Sequence, residues 1–139
     1  MRAYIGKYPK NSDKERKIDI RVDDYDLWNA DNTMALFIVA ILTKFKDHIN
    51  GIPCGLLTDE YMEISSSIEF HEEDEDGPLH KKLDGIYDEC LKNYKNIIDE
   101  IIFSFTSSED YSIDLDKEMQ ARKENGRKLF IEHFDSFWN

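Results

Sequence analysis

Between Pro78 and Phe105 the apolar residues Leu83, Ile86, Cys90, Tyr94, Ile97 and Ile101 recur every three or four positions. This is the strongest periodic signal in the chain. It predicts one long amphipathic helix over 79–105, with Pro78 in its first turn, where a missing N–H costs nothing. An apolar stripe of that length must be covered by other elements, so the rest of the chain is read for what can cover it.

Two further helices are predicted. One runs from about Asp31, over 31–49, and its middle, Met34 to Leu42, is apolar on every face, which suits a central helix enclosed by the fold. Asn50-Gly51 ends it. The other covers 114–138 and carries Leu115, Met119, Leu129, Phe130, Phe134 and Phe137. Three such helices pack as a bundle. Near the N-terminus, Ile18, Ile20 and Val22 alternate with polar residues, and a less regular segment surrounds Tyr4, Ile5 and Tyr8. Together they predict a hairpin over 2–22, which has to lie against helices because two strands alone are marginal. The expected fold is mainly α (α+β): a three-helix core with a central buried helix and a small N-terminal β-hairpin.

The 139 residues suit one domain, 1–139, with 40% hydrophobic and 12% aromatic side chains to build its core. Residues 51–78 are the irregular part, with a short helical turn at Thr58–Met62. From Pro53 to His80 there are nine acids and no lysine or arginine. Net charge is −12, from 30 acidic and 18 basic residues. Such a surface repels nucleic acid and anionic membranes, so neither is expected as a partner. It suits simple solubility or a basic protein partner. Cys54 and Cys90 fit neither a disulfide framework nor a zinc pattern, which points to a reducing compartment. The opening Met1-Arg2-Ala3-Tyr4 lacks the apolar stretch of a signal peptide, and no apolar run is long enough to span a bilayer.

No motif for chemistry stands out. His48, His71, His80 and His133 form no HExxH and no Glu-x-x-His pair, and read as surface or boundary residues. There is no phosphate-cradling glycine loop and no GxSxG. Glu60/Glu63, Glu69/Glu72 and Glu72/Glu75 have the three-residue step of magnesium-binding helical nucleotide hydrolases. An acidic run yields such pairs by chance, however, so no enzyme and no cofactor are expected. The run itself reads as a solvated loop, with imitation of a phosphate backbone as the sharper alternative.

Asp23 to Thr33 is the segment that invites a ligand. Trp28, just ahead of a helix, reads first as a core anchor or hydrophobic staple, and Asp26, Asn29 and Asp31 as caps. The functional reading makes Trp28 a stacking platform for a nucleotide-like ligand. Arg21, or Arg127 and Lys128, would then meet phosphates, and Tyr25, Asp31 and Asn32 would complete the pocket.

Asp26-Leu27-Trp28-Asn29-Ala30-Asp31-Asn32-Thr33-Met34-Ala35-Leu36 resembles the D-x-W-x-x-D-x-T-L-A-L pattern of an uncharacterised small-protein family of tailed bacteriophages of marine myovirus type. Ile5-Gly6-Lys7-Tyr8-Pro9, Asp99-Glu100-Ile101-Ile102-Phe103-Ser104-Phe105 and Asn125-Gly126-Arg127-Lys128-Leu129-Phe130, then Phe137-Trp138-Asn139, are similar to its other motifs, in the same order. The chain departs from the pattern in a shorter connection after Pro9 and across 51–78. The resemblance brings no established activity. It implies a phage origin and a role in the cytoplasm of an infected host cell. The chain is expected to be a non-enzymatic accessory protein that binds a ligand or host factor, as a homo-oligomer. Three roles remain open: sequestering a nucleotide immune signal, inhibiting a host protein through the acidic segment 59–76, or serving as a virion or assembly component.

Overall fold

The computed structural model of the chain describes residues 2–7, 9, 15–71, 77–106 and 117–137. Strands β1 (Arg2–Ile5) and β2 (Ile18–Arg21) pair antiparallel, with Arg2 opposite Arg21, Ala3 opposite Ile20 and Ile5 opposite Ile18. Alternation therefore puts Ala3, Ile5, Ile18 and Ile20 on one face and Arg2, Tyr4, Asp19 and Arg21 on the other. Beyond the strands the Gly6 N–H donates to the Lys17 carbonyl at 2.8 Å, and Arg16 Nε donates to the Gly6 carbonyl at 2.6 Å. A one-turn helix α1 (Asp24–Leu27) leads into α2 (Ala30–Lys46). A 3-10 turn at Cys54–Leu56 precedes α3 (Asp59–His71). Then come α4 (Pro78–Phe105), α5 (Lys117–Glu132) and a closing 3-10 turn at Phe134–Ser136.

The protein is a mainly helical fold with a small N-terminal hairpin, and α4 is its central helix, with α2, α3 and α5 packed on it. Its stripe Cys90, Tyr94, Ile98, Ile101 and Ser104 is buried. Leu42 of α2 completes the innermost cluster with Tyr94, Ile98 and Ile101. Aromatic rings close it from outside. Phe45 meets Tyr94 and Phe137 edge-on, and Phe130 meets Phe105 and Phe134 the same way. The Tyr94 hydroxyl donates to the Ser136 carbonyl at 2.8 Å and so fastens the C-terminal turn to the core. Each outer helix also carries one ion pair to α4: Lys46 with Asp99, Glu60 with Lys82, and Arg122 with Glu100 in a two-pronged contact at 2.6 and 2.8 Å.

Three expectations are corrected. The central place belongs to α4 and not to the helix over 31–49: of α2, Leu42 alone is buried, while Met34, Leu36, Phe37 and Ile41 remain exposed. A single long neighbour buries one stripe of an all-round apolar helix, and the short α1 covers little of what remains. The segment 51–78 is not wholly irregular, because α3 occupies 13 residues of it. Thr58 caps that helix, accepting from the Tyr61 N–H at 3.2 Å, and Ile64 is buried while Tyr61 stacks near Tyr87. The third helix is shorter than 114–138: it stops at Glu132, and the turn after it brings Phe137 back to Phe45 and Phe130. Residues 114–116 and 138 of that expectation lie outside the described residues.

Candidate functional site

The two apolar surfaces left open face each other. The isoleucine face of the hairpin leans toward α1 and α2 without packing onto them, and a groove of about 500 Å³ separates the two walls. Ile5, Ile20 and Val22 line one side, and Leu27, Met34 and Phe37 the other. Ile5, Ile20, Val22, Leu27 and Met34 each keep more than half of their surface exposed. A second, smaller hollow shares Asp26, Thr33 and Phe37 and continues the patch over Leu36 and Ala40.

Above the groove stands α1. The Asp23 N–H donates to Asp26 Oδ2 at 3.1 Å, and Thr33 Oγ1 donates to the Asp26 carbonyl at 3.4 Å. These bonds hold the short helix across the start of α2. From it Tyr25 and Trp28 project, each 88% exposed. Trp28 is therefore neither a core anchor nor a staple. Staple geometry needs an apolar partner on the first turns of α2, and those positions turn toward the groove instead.

Of the residues singled out from the sequence, Arg21, Tyr25, Trp28, Asp31 and Asn32 lie on the hairpin, α1 and the first turn of α2, all exposed. Arg21 is on the polar face of the hairpin, its Nε 3.3 Å from Asp19 Oδ1. Arg127 and Lys128 are elsewhere. They follow Gly126, which lies against Glu100 and Ser104, next to the Asp99 that holds Lys46. That is the far end of α2 from Asp31, about 20 Å of helix away. The residues that sequence reasoning missed are Leu27, Met34, Phe37 and the hairpin isoleucines: it enclosed Met34 and Phe37 in a central helix, laid the isoleucines against helices and gave Leu27 no role. The available signal was the all-round apolarity of Met34–Leu42, more than one neighbouring helix can bury.

At the groove, hydrogen bonding, with the Asp23 N–H among the donors, lowers the Asp26 carboxyl below its ordinary range. The other ionisable groups whose affinity for protons departs from the ordinary are on the helical body. Hydrogen bonding to Arg122 lowers the Glu100 carboxyl, hydrogen bonding to Asp99 raises the Lys46 ammonium, and burial raises the Tyr94 phenol. All three serve packing. Glu60 and Glu63 do share a helix, α3, but Glu60 is engaged by Lys82 at 2.6 Å. Among the described residues no three His, Cys, Asp or Glu side chains converge as metal ligands. Glu72 and Glu75 lie outside the described residues. Cys54 is exposed and Cys90 buried, both as free thiols. His48 Nδ1 is 2.9 Å from the Lys44 carbonyl, and His133 is buried beside the C-terminal turn. Among the described residues no helix is long and apolar enough to cross a membrane.

Compared with protein-family models, with curated proteins and with solved structures, the chain shows no significant match to any.

Proposed function

We propose that the protein is a non-enzymatic phage accessory protein that works by protein–protein contact, in the cytoplasm of an infected host cell. The contact surface is the apolar face of β1, β2, α1 and α2. One observation carries the reading: a groove walled by aliphatic and aromatic side chains, with two exposed aromatic rings beside it. Isolated apolar side chains on a surface need no explanation, but a contiguous patch of this kind marks an interaction site. Tyr and Trp are also the residue types enriched where protein interfaces draw their affinity.

The same geometry disfavours a nucleotide as the occupant. A phosphate needs cations and N–H donors close together, whereas Arg21 is held by Asp19 and points off the other face of the hairpin. Arg127 and Lys128 stand at the opposite end of α2. The acidic residues 72–76, central to the charge-mimic alternative, lie outside the described residues.

The test places a photo-crosslinking amino acid at position 25, at the exposed position 63 within 59–76, and at the exposed position 89 of α4 as a control, each in the full chain expressed in bacteria. Protein adducts formed from position 25 and not from position 89 are expected. The purified chain is also denatured and its supernatant analysed by mass spectrometry. A nucleotide-like molecule released there overturns the reading in favour of sequestration. Adducts only from sites within 59–76 overturn it in favour of the acidic inhibitor.

A further inference from the structure

We infer that the occupant of this face is a second copy of the same chain, arranged about a two-fold axis so that α1 of each protomer enters the groove of the other. The inference rests on the reading of the face as a protein-contact surface and names its partner.

Three observations converge. The first is area. The exposed side chains of the hairpin, α1 and the open stripe of α2 present on the order of 1,000 Å² of contiguous apolar surface, taking large side chains at roughly 150–250 Å² each. That exceeds the few hundred Å² typical of the largest patch on a monomer and matches the roughly 800 Å² per partner of a standard stable interface.

The second is shape. The face holds both a projection, Trp28 with Tyr25, and a hollow between Ile20 and Met34. A two-fold interface must be complementary to itself, and a knob and a hole on one patch meet that condition.

The third is the hairpin's own need. Two strands alone are marginal, and Ile5, Ile18, Ile20 and Val22 each stay more than half exposed. Helix α1 of a second copy, seated in the groove twice per dimer, gives both hairpins the cover that their own helices leave incomplete.

Sedimentation velocity of the full chain over a wide concentration range tests this. A species at twice 16.4 kDa is expected, and Trp28→Ala should weaken it by at least about tenfold per copy of the contact. Two shape variants supply a gain of function that misfolding cannot imitate. Trp28→Ala chains, which lack the projection, and Ile20→Trp chains, whose groove is filled, should each dimerise poorly alone and recover when mixed, because one intact projection then meets one intact groove. Circular dichroism of each variant checks the fold.

A chain that stays monomeric at every concentration overturns the inference. So does a dimer indifferent to Trp28→Ala and to mixing, which would use another face. A monomer whose position 25 still crosslinks to a different protein overturns the second copy while leaving the contact-surface reading intact. A monomer with no adduct at all removes both.

Discussion

Gly126 shows how one residue carries a helix crossing. A Cβ at that position would overlap the Glu100 carbonyl and come within 2.6 Å of Ser104 Cβ, so α5 approaches α4 backbone to backbone. Glycine weakens a helix by about 1 kcal/mol relative to alanine, and the close approach outweighs this. Gly126→Ala should therefore destabilise by about 2–3 kcal/mol in urea unfolding, against the helix-propensity gain. Tyr94→Phe should cost about 1 kcal/mol, since it leaves the half-buried Ser136 carbonyl without its donor. Trp28→Ala is the contrasting case. With its ring in solvent, the loss should leave the unfolding free energy of dilute protein within about 0.5 kcal/mol. Other residues divide along the same line. Asp99, Glu100, Ile101 and Phe105 on α4, and Gly126 and Phe130 on α5, all serve the packing of helices on α4. Trp28 has no such task within the monomer.

Among the elements, α4 was fully legible in advance, because an amphipathic stripe with one continuous apolar face has only one way to be buried. The hairpin was legible from the alternation of Ile18, Ile20 and Val22, and its pairing follows from it. What failed was telling how much cover each element finds. Met34–Leu42 looks the same in sequence whether it is enclosed by one's own chain or awaits another, so α2 was placed at the centre and Trp28 in the core. The candidate site was accordingly half legible: the segment was identified, but its aliphatic walls were not. The helix α3 was obscured by a different cause. Ser65, Ser66 and Ser67 dilute its apolar face, Ser66 and Ser67 return hydrogen bonds to the carbonyls of Met62 and Glu63, and neighbouring acids suggested a loop. Its reality can be checked at the cap and at the buried contact. Thr58→Ala should cost about 1 kcal/mol, and Ile64→Ala about 2–4 kcal/mol, both read from denaturant midpoints.

At the scale of the molecule, the pH dependence of stability has two arms with assignable causes. The Glu100 carboxyl is held below its ordinary value of 4.5, so its contribution is complete above that pH and is lost as pH falls through the lowered folded value. On the alkaline side the Lys46 ammonium is raised above 10.5, and its contribution persists until pH rises through the higher folded value. The Tyr94 phenol is raised by burial above 10.0, so the unfolded chain ionises first and stability declines from about that pH upward. Thermal unfolding followed across pH should show the acid arm shortened in Glu100→Gln and the early alkaline decline removed in Tyr94→Phe. The arrangement of outer helices around α4 has a further consequence, in terms of heredity rather than force. The ion pairs and buried rings that hold the body together involve α2 from Leu42 onward, α3, α4, α5 and the C-terminal turn. The hairpin, α1 and the outer stripe of α2 share almost none of them. Distant sites with no shared partners act independently, so substitutions on the contact face leave the fold's stability nearly untouched. The face can thus be rewritten residue by residue while the body keeps the same way of folding.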